Sequence, residues 1–218
     1  MKNKLLIAVA TGLLAAGLNT LPAQAGEVLV ASDTPCGVDA LSTDLLPYQA
    51  PGYRYQVIGS GVPPPAGWEQ PAYDDSAWSV GAAGFGSGGF CDNIVQTAWS
   101  LNSDLLVRRV VSVPAGAVNL RVWIGIDNDI LEVFFNGTSL GGNIVHEFCA
   151  ELDNFSFAVP QALVQTGPNA VAYYLRDRGG VSFFDTRLSA CVSLPPGCSF
   201  TCPRTRPGPT IQAHAARW

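Results

Sequence analysis

The most constraining feature of the sequence is residues 113–142, VPAGAVNLRVWIGIDNDILEVFFNGTSLGG. Apolar residues alternate with other types over 120–126, the period-two pattern of a strand with two unlike faces. The Asp-Asn-Asp run at 127–129 interrupts the pattern with residue types that favour turns. Residues 130–135 resume an apolar strand, and the Asn-Gly pair at 136–137 is a strong hairpin signal. The stretch therefore predicts two antiparallel strands joined by an acidic turn and closed by a second turn, as in a β-sandwich.

The first 25 residues have the features of an export signal. Lys2 and Lys4 give a short basic start, residues 5–18 form an apolar core, and small residues precede Gly26. The apolar run is short and rich in Ala and Gly, which disfavours a membrane span. We therefore expect cleavage after Ala25 and a secreted or periplasmic mature chain without a membrane span.

The charge balance excludes two classes of partner. The chain has 12 Lys and Arg residues against 17 Asp and Glu residues, and both lysines lie in the predicted signal. The mature chain is therefore acidic, and its basic residues are all arginines. Nucleic acids and anionic membrane surfaces attract clustered positive charge, so neither is expected as a partner.

The cysteines predict a disulfide framework. Six cysteines follow the export signal, and an even number in an exported chain favours three disulfides. The preferred pair is Cys91 with Cys149, because both lie in loop-like sequence that flanks the central strands. Cys36 would then join the C-terminal group, which comprises Cys191, Cys198 and Cys202. A zinc site formed by that group with His214 is the alternative, but an oxidising compartment disfavours free thiols.

The chain divides into four segments: a signal peptide at 1–25, an N-terminal extension at 26–50, a β-sandwich at 51–192 and a Cys- and Pro-rich tail at 193–218. Short apolar runs between turn-forming residues predict about eight strands and no long helix. Besides the central pair, strands are predicted at 53–58, 105–113, 155–159, 170–176 and 181–192. Arg108 and Arg109 point to opposite faces of one strand, so one of them is expected to be partly buried and paired.

Three segments carry a resemblance to a known family. They are WEQPAYDDSAW followed by a Gly-rich loop, the central stretch VNLRVWIGIDNDILEVFFNGTSL, and FAVPQALVQTGPNAVAYYLRDRGGVSFFDTRLSA. In order and spacing the sequence resembles the galactose-binding-domain-like jelly roll, which occurs in carbohydrate-binding modules and in accessory sandwich domains of glycoside hydrolases. The resemblance covers residues 53–190. It implies an all-β, antiparallel jelly-roll β-sandwich, an architecture that serves sugar binding, protein binding and structural roles.

Sugar binding requires an exposed aromatic ring beside hydrogen-bonding side chains, because the C–H face of a sugar stacks on a ring. Four aromatic residues lie in predicted loops: Trp68, Phe90, Trp99 and Phe148. The polar candidates are His146, Asp177 and Arg178. The remaining large aromatics are expected to pack in the core or between sheets: Trp78, Trp123, Phe134, Phe183 and Phe184. Packing is also the alternative for each loop aromatic.

A structural calcium ion is a further possibility. Four aspartates in predicted turns supply the hard oxygen ligands that calcium prefers: Asp74, Asp75, Asp127 and Asp129. The alternative is that the first two cap a helical turn and the last two shape a hairpin.

Catalysis has weaker support in the sequence. A Cys–His pair of His146 and Cys149 would need a free thiol, whereas the even cysteine count favours a disulfide. We therefore expect an exported, non-catalytic, lectin-like module that binds carbohydrate or a surface glycan. The alternative is a structural or protein-interaction module of the cell surface without a sugar site. A third reading is a glycoside-hydrolase-type enzyme, which requires two facing carboxylates with perturbed pKa values in a cleft.

Overall fold

The computed structural model describes Cys36 and residues 40–88 and 91–193. The predicted signal peptide, Phe90 and the tail residues Cys198, Cys202 and His214 lie outside these ranges. Within them, no helix has both the length and the apolar character needed to cross a membrane.

Two six-stranded sheets account for the described part of the chain. The first sheet contains β1 (Ala40–Leu46), β4 (Phe85–Gly86), β5 (Thr97–Ala98), β7 (Val118–Asp127), β10 (Phe155–Ala158) and β12 (Phe183–Ser193). The second sheet contains β2 (Pro51–Gly59), β3 (Ser79–Ala82), β6 (Ser103–Val113), β8 (Asp129–Phe135), β9 (Thr138–Val145) and β11 (Gly167–Arg176). One 3₁₀ turn, Gln161–Leu163, precedes β11. The predicted all-β sandwich is confirmed, with twelve strands in the described residues.

The strand order is β10-β7-β12-β4-β5 in the first sheet and β3-β2-β6-β11-β8-β9 in the second. β1 and β4 both pair with β12, on the side opposite to β7. β4 pairs with the first two residues of β12, and β1 pairs with the second half of the strand. The short β4–β5 pair is parallel, and the other pairs are antiparallel. Antiparallel pairing lets each strand bury one face and leave the other face toward solvent.

The core lies between the two sheets and is built from alternate residues of each strand. Val122 and Ile124 of β7 face Val107 of β6 and Val171 of β11 within one buried apolar cluster. Phe184 of β12 packs there too, as predicted. The period-two pattern in the sequence therefore reports which face of each strand is inside.

The predicted pairing of the two central strands is wrong. β7 pairs with β10 and β12 in the first sheet, whereas β8 pairs with β9 and β11 in the second sheet. Residues 127–129 carry the chain from one sheet to the other, through a cis peptide bond between Asp127 and Asn128. The Asn-Gly hairpin is confirmed, since β8 and β9 pair across Asn136 and Gly137, both with positive φ.

The N-terminal extension contributes more to the fold than the sequence suggested. Residues 40–46 form β1 and pair with β12 over most of their length, so this part of the extension is a strand of the first sheet. Cys36 is bonded to Cys191 of β12, which confirms its predicted link to the C-terminal cysteines. The preferred pair of Cys91 with Cys149 is confirmed as well.

The two adjacent arginines of β6 lie on opposite faces, as predicted. Arg108 is buried, and its Nε lies 2.9 Å from Oδ2 of Asp75. It also donates to the backbone carbonyl oxygens of Trp68 and Gln70. Arg108 therefore fixes the loop that follows β2 onto the outer face of the second sheet.

Candidate functional site

Three chain segments meet at one end of the sandwich, and Asn128 joins them. They are the crossing 127–129, residues 146–148 after β9, and residues 177–179 after β11. The backbone oxygen of Asn128 accepts a hydrogen bond from the His146 amide at 3.1 Å. Its Oδ1 accepts one from the Arg178 amide at 2.7 Å. We call these nine residues the loop-end site.

Arg178 forms the charged centre of the loop-end site. Its Nε lies 3.0 Å from Oδ2 of Asp129, and its Nη1 lies 2.9 Å from Oε1 of Glu147. A third contact runs from Nη2 to the backbone oxygen of His146 at 3.3 Å. The hydrogen bonds to Glu147 and Asp129 raise the pKa of Arg178, so this side chain keeps its charge. Arg178 therefore joins the exposed carboxylate of Glu147 to the buried carboxylate of Asp129.

Phe148 lies directly beside this ion pair in the chain and is 79% exposed. The next residue, Cys149, is bonded to Cys91, so the chain is covalently fixed immediately after the ring. The loop-end site thus contains an exposed aromatic side chain, a guanidinium group and a carboxylate group within residues 146–148 and 177–179. This is the combination that sugar recognition requires.

Two buried aspartates lie beneath this surface. Burial raises the pKa of Asp177, and burial together with the charge of Asp177 raises the pKa of Asp127. Oδ2 of Asp177 accepts from the amides of Asn102 and Gly179, at 2.6 Å and 2.9 Å. Oδ1 of Asp177 and Nε2 of His146 are buried without a hydrogen-bond partner among the described residues. Buried polar atoms without a hydrogen-bond partner are uncommon in folded proteins.

Four of the six predicted ligand-binding residues therefore converge at one place. His146, Phe148, Asp177 and Arg178 come from two loops that are about thirty residues apart in the chain. Sequence reasoning missed Asn128, which joins the loops, and Glu147, which completes the ion pair. Glu147 could have been found from its position between two chosen candidates. Asn128 gave no such signal, because its role depends on the crossing between sheets.

The other two predicted ligand-binding residues, Trp68 and Trp99, are buried. The expectation that their rings are exposed for stacking on a sugar is therefore wrong. Trp68 is 4% exposed and stacks on Trp78 with ring centroids 6.1 Å apart. Phe134 meets the same indole edge-on at 5.7 Å, in a small apolar cluster outside the second sheet. Trp99 is 1% exposed and belongs to the main core. Both indoles are covered by the loops that carry them.

The four predicted calcium ligands do not come together. Asp74 accepts from the Ser76 amide at 3.0 Å, as the capping alternative predicted. Asp75 and Asp129 are bound by Arg108 and Arg178. Across the described part of the chain, no group of three or more His, Cys, Asp or Glu side chains could hold a metal ion. Arg108 and Arg178 thus neutralise Asp75 and Asp129, for which the sequence predicted a calcium ion.

No protein-family model and no curated protein matches this sequence. Partial similarity exists to solved glycosidases. A Bacteroides uniformis β-glucuronidase aligns at a TM-score of 0.44 and 14% identity over 69% of this chain and 18% of its own. A Bifidobacterium dentium β-glucuronidase complexed with coumarin-3-O-glucuronide aligns at 0.37 and 20% identity, over 63% and 20%. A Bacteroides vulgatus β-glycosidase aligns at 0.38 and 15% identity, over 68% and 20%. The chain thus spans about a fifth of the length of these enzymes.

Proposed function

We propose that the chain is a non-catalytic β-sandwich module that binds carbohydrate at the loop-end site. The observation that carries this proposal is the exposed side chain of Phe148, which directly follows Glu147 of the Arg178–Glu147 ion pair in the chain. A sugar ring can stack its C–H face on the phenyl ring. Its hydroxyl groups can then donate to the carboxylate of Glu147 and accept from the guanidinium of Arg178.

Rigidity of the loop-end site supports the proposal. Arg178 is held at its backbone by Asn128 and at its side chain by Asp129. The Cys91–Cys149 disulfide fixes the chain beside Phe148. A site ordered in advance loses less conformational entropy when a ligand binds. This matters for sugars, which offer little apolar surface.

The binding target would lie outside the cytoplasm. Two disulfides in the described residues fit an extracellular or periplasmic protein. The proposal combines this with the predicted export signal, so the ligand is a glycan of a cell surface or of the surrounding medium.

The non-catalytic part of the proposal is supported by the burial of the perturbed carboxylates. A glycosidase needs two carboxyl groups, about 5–10 Å apart, on either side of the scissile bond. Asp127 and Asp177 both have raised pKa values, but both are buried beneath the loops. Carboxyl groups buried in this way are shielded from a glycosidic bond.

A glycan-array screen of the purified chain tests this function. We expect specific binding that falls about tenfold or more in Phe148→Ala and Glu147→Gln, since the first removes the ring on which the sugar stacks and the second removes the charge of the carboxylate that accepts from its hydroxyl groups. Val110→Ala is the matched control, because Val110 is an exposed apolar residue of β6 in the second sheet. Binding that survives both loop-end changes, with folding intact, would refute this site.

A second candidate function is protein interaction at the same end of the molecule. Three exposed apolar side chains lie in the two segments that the Cys91–Cys149 disulfide joins: Ile94, Phe148 and Leu152. Such side chains can form the apolar centre of a protein interface. A blank glycan array together with a captured partner that is lost in Ile94→Ser and Leu152→Ser would favour this function.

A further inference from the structure

A separate cleft of about 270 Å³ opens on the outer face of the first sheet. It lies over β1, β7, β10 and β12, and its wall includes the Cys36–Cys191 disulfide. Ser42, Asn119, Arg121 and Trp123 line it. We call it the outer-face cleft. None of its residues belongs to the loop-end site.

The backbone shapes this cleft. The pairing of β7 with β12 shifts register between Ser189 and Cys191, as in a β-bulge. Asn119, opposite this shift, has a φ of 54° in the left-handed region. A bulge bends its strand and redirects side chains, and bulges are frequent beside binding sites. The floor of the cleft is therefore formed by the strands of the sheet, and Cys36 contributes to its wall.

Trp123 forms a rigid wall of the cleft. Trp123 is 5% exposed, as expected for a packing residue, but it packs on the outer face of β7, since its neighbours Val122 and Ile124 face the core. Its indole Nε1 donates to Oγ of Ser189 at 2.8 Å. The guanidinium carbon of Arg187 lies 4.5 Å from the ring centroid, which orders the indole further.

The two arginines beside Trp123 differ in how they are paired. Arg187 lies 2.9 Å from Asp153 and 3.1 Å from Asp44, so two carboxylates neutralise it. Arg121 makes one side-chain hydrogen bond, from Nη1 to Oγ of Ser156 at 3.0 Å. Among the described residues, no carboxylate pairs with Arg121. A guanidinium has five N–H donors, so most of the donors of Arg121 have no hydrogen-bond partner among the described residues.

We propose that the outer-face cleft binds a monosaccharide-sized ligand that carries a carboxylate, which is the chemistry of a uronic acid. A carboxylate matches the planar fork of Arg121, which binds it with two parallel hydrogen bonds. Ser42 and Asn119 supply hydroxyl and amide groups for the ring hydroxyls of the sugar. The volume is near the lower end of the range for small-molecule sites, about 300 Å³, and suits one sugar ring.

NMR titration of the purified chain tests this proposal. Glucuronate and galacturonate are added in turn while the Trp123 indole N–H signal, identified by its loss in Trp123→Phe, is followed. We expect saturable shifts with both uronates. Glucose, galactose and acetate should bind about tenfold more weakly or worse, because each lacks either the carboxylate or the ring.

Variants locate the site and separate it from the proposed function. Arg121→Gln and Arg121→Lys should each weaken uronate binding about tenfold or more, because neither retains the guanidinium fork. Phe148→Ala, at the loop-end site, should leave uronate binding unchanged whatever the glycan array shows. Unchanged thermal unfolding of the Arg121 variants serves as the folding control, and Arg121→Lys keeps the charge if Arg121→Gln unfolds. The proposal is overturned if uronates give no shift, if acetate binds equally well, or if the Arg121 variants bind as the wild type does.

Discussion

Asp185→Asn should remove a pH-dependent penalty from the stability of the protein. Asp185 is 1% exposed on β12, and its Oδ1 accepts hydrogen bonds from the amides of Gln49 and Thr186. Burial raises its pKa from 3.8 to about 6. Asparagine keeps the shape and the accepting oxygen but cannot ionise, so the substitution isolates the charge.

Proton linkage gives the sign and the size of this pH-dependent stability difference. Because the folded-state pKa is raised, the folded protein holds a proton that the unfolded chain has released. The stability from this group is therefore fully present below about pH 3.8 and is lost as the pH rises through about 6. Two pKa units correspond to ~3 kcal/mol in total, and to ~2 kcal/mol between about pH 4.5 and about pH 7.5. The stability of Asp185→Asn relative to the wild type should rise by that amount over the same interval.

Urea unfolding of both proteins at about pH 4.5 and about pH 7.5 measures this difference. Subtracting the wild type from the variant cancels the groups that both share, including the buried Asp127 and Asp177, whose pKa values are also raised. Asp92→Asn, at an exposed aspartate, is the control for the substitution itself. A difference for Asp185→Asn that does not change with pH would refute the assignment of a raised pKa to this carboxyl group.

Three further substitutions test the packing and electrostatics of the fold. Asp104→Asn should lower the free energy of unfolding by ~2 kcal/mol above about pH 4. Burial alone would raise the pKa of Asp104, but hydrogen bonds from Arg176, Gly61 and Tyr174 lower it. The loss of stability should therefore shrink in more acidic solution, where Asp104 of the wild type becomes protonated and no longer contributes. Urea titrations across that range measure the effect. Trp99→Ala should cost ~3–5 kcal/mol by thermal or urea unfolding, since its indole fills the main core. Gly142→Ala should cost ~1–3 kcal/mol in the same assay, because a Cβ there would overlap the Leu131 carbonyl oxygen. Unchanged stability in either of the last two variants would contradict the packing described.

The sequence predicted where strands occur better than which strands pair. The alternation of apolar and other residues over 120–126 is a local property of the sequence, and it correctly predicts which face of β7 is buried. Pairing depends on contacts distant in sequence. An acidic turn between two apolar strands has the same composition whether the chain returns in its own sheet or crosses to the other one. β1 was missed for a related reason: β12 provides the pairing that makes residues 40–46 a strand.

The aromatic candidates show the same difference between what local sequence predicts and what distant contacts decide. Trp68, Trp99 and Phe148 all lie in predicted loops, and composition does not separate them. Arg108 holds the Trp68 loop onto the second sheet, and the Trp99 amide donates to the Gly86 carbonyl oxygen, so both indoles are fixed in buried positions. Phe148 is 79% exposed although Cys149, one residue later, is held by a disulfide. Whether a loop aromatic is available to a ligand therefore depends on contacts distant in sequence.

The incorrect pairing and the loop-end site have a common physical origin. A hairpin at 127–129 would have kept both strands in one sheet and left Asn128 at a solvent-exposed tip. Because the chain instead crosses between the sheets, Asn128 lies at the end of the sandwich, where the segments that follow β9 and β11 also emerge. Its backbone oxygen and side chain can then bind His146 and Arg178 together. The crossing thus brings the ion pair to Phe148, whereas the outer-face cleft depends on the register shift between β7 and β12, so each site can be altered without the other.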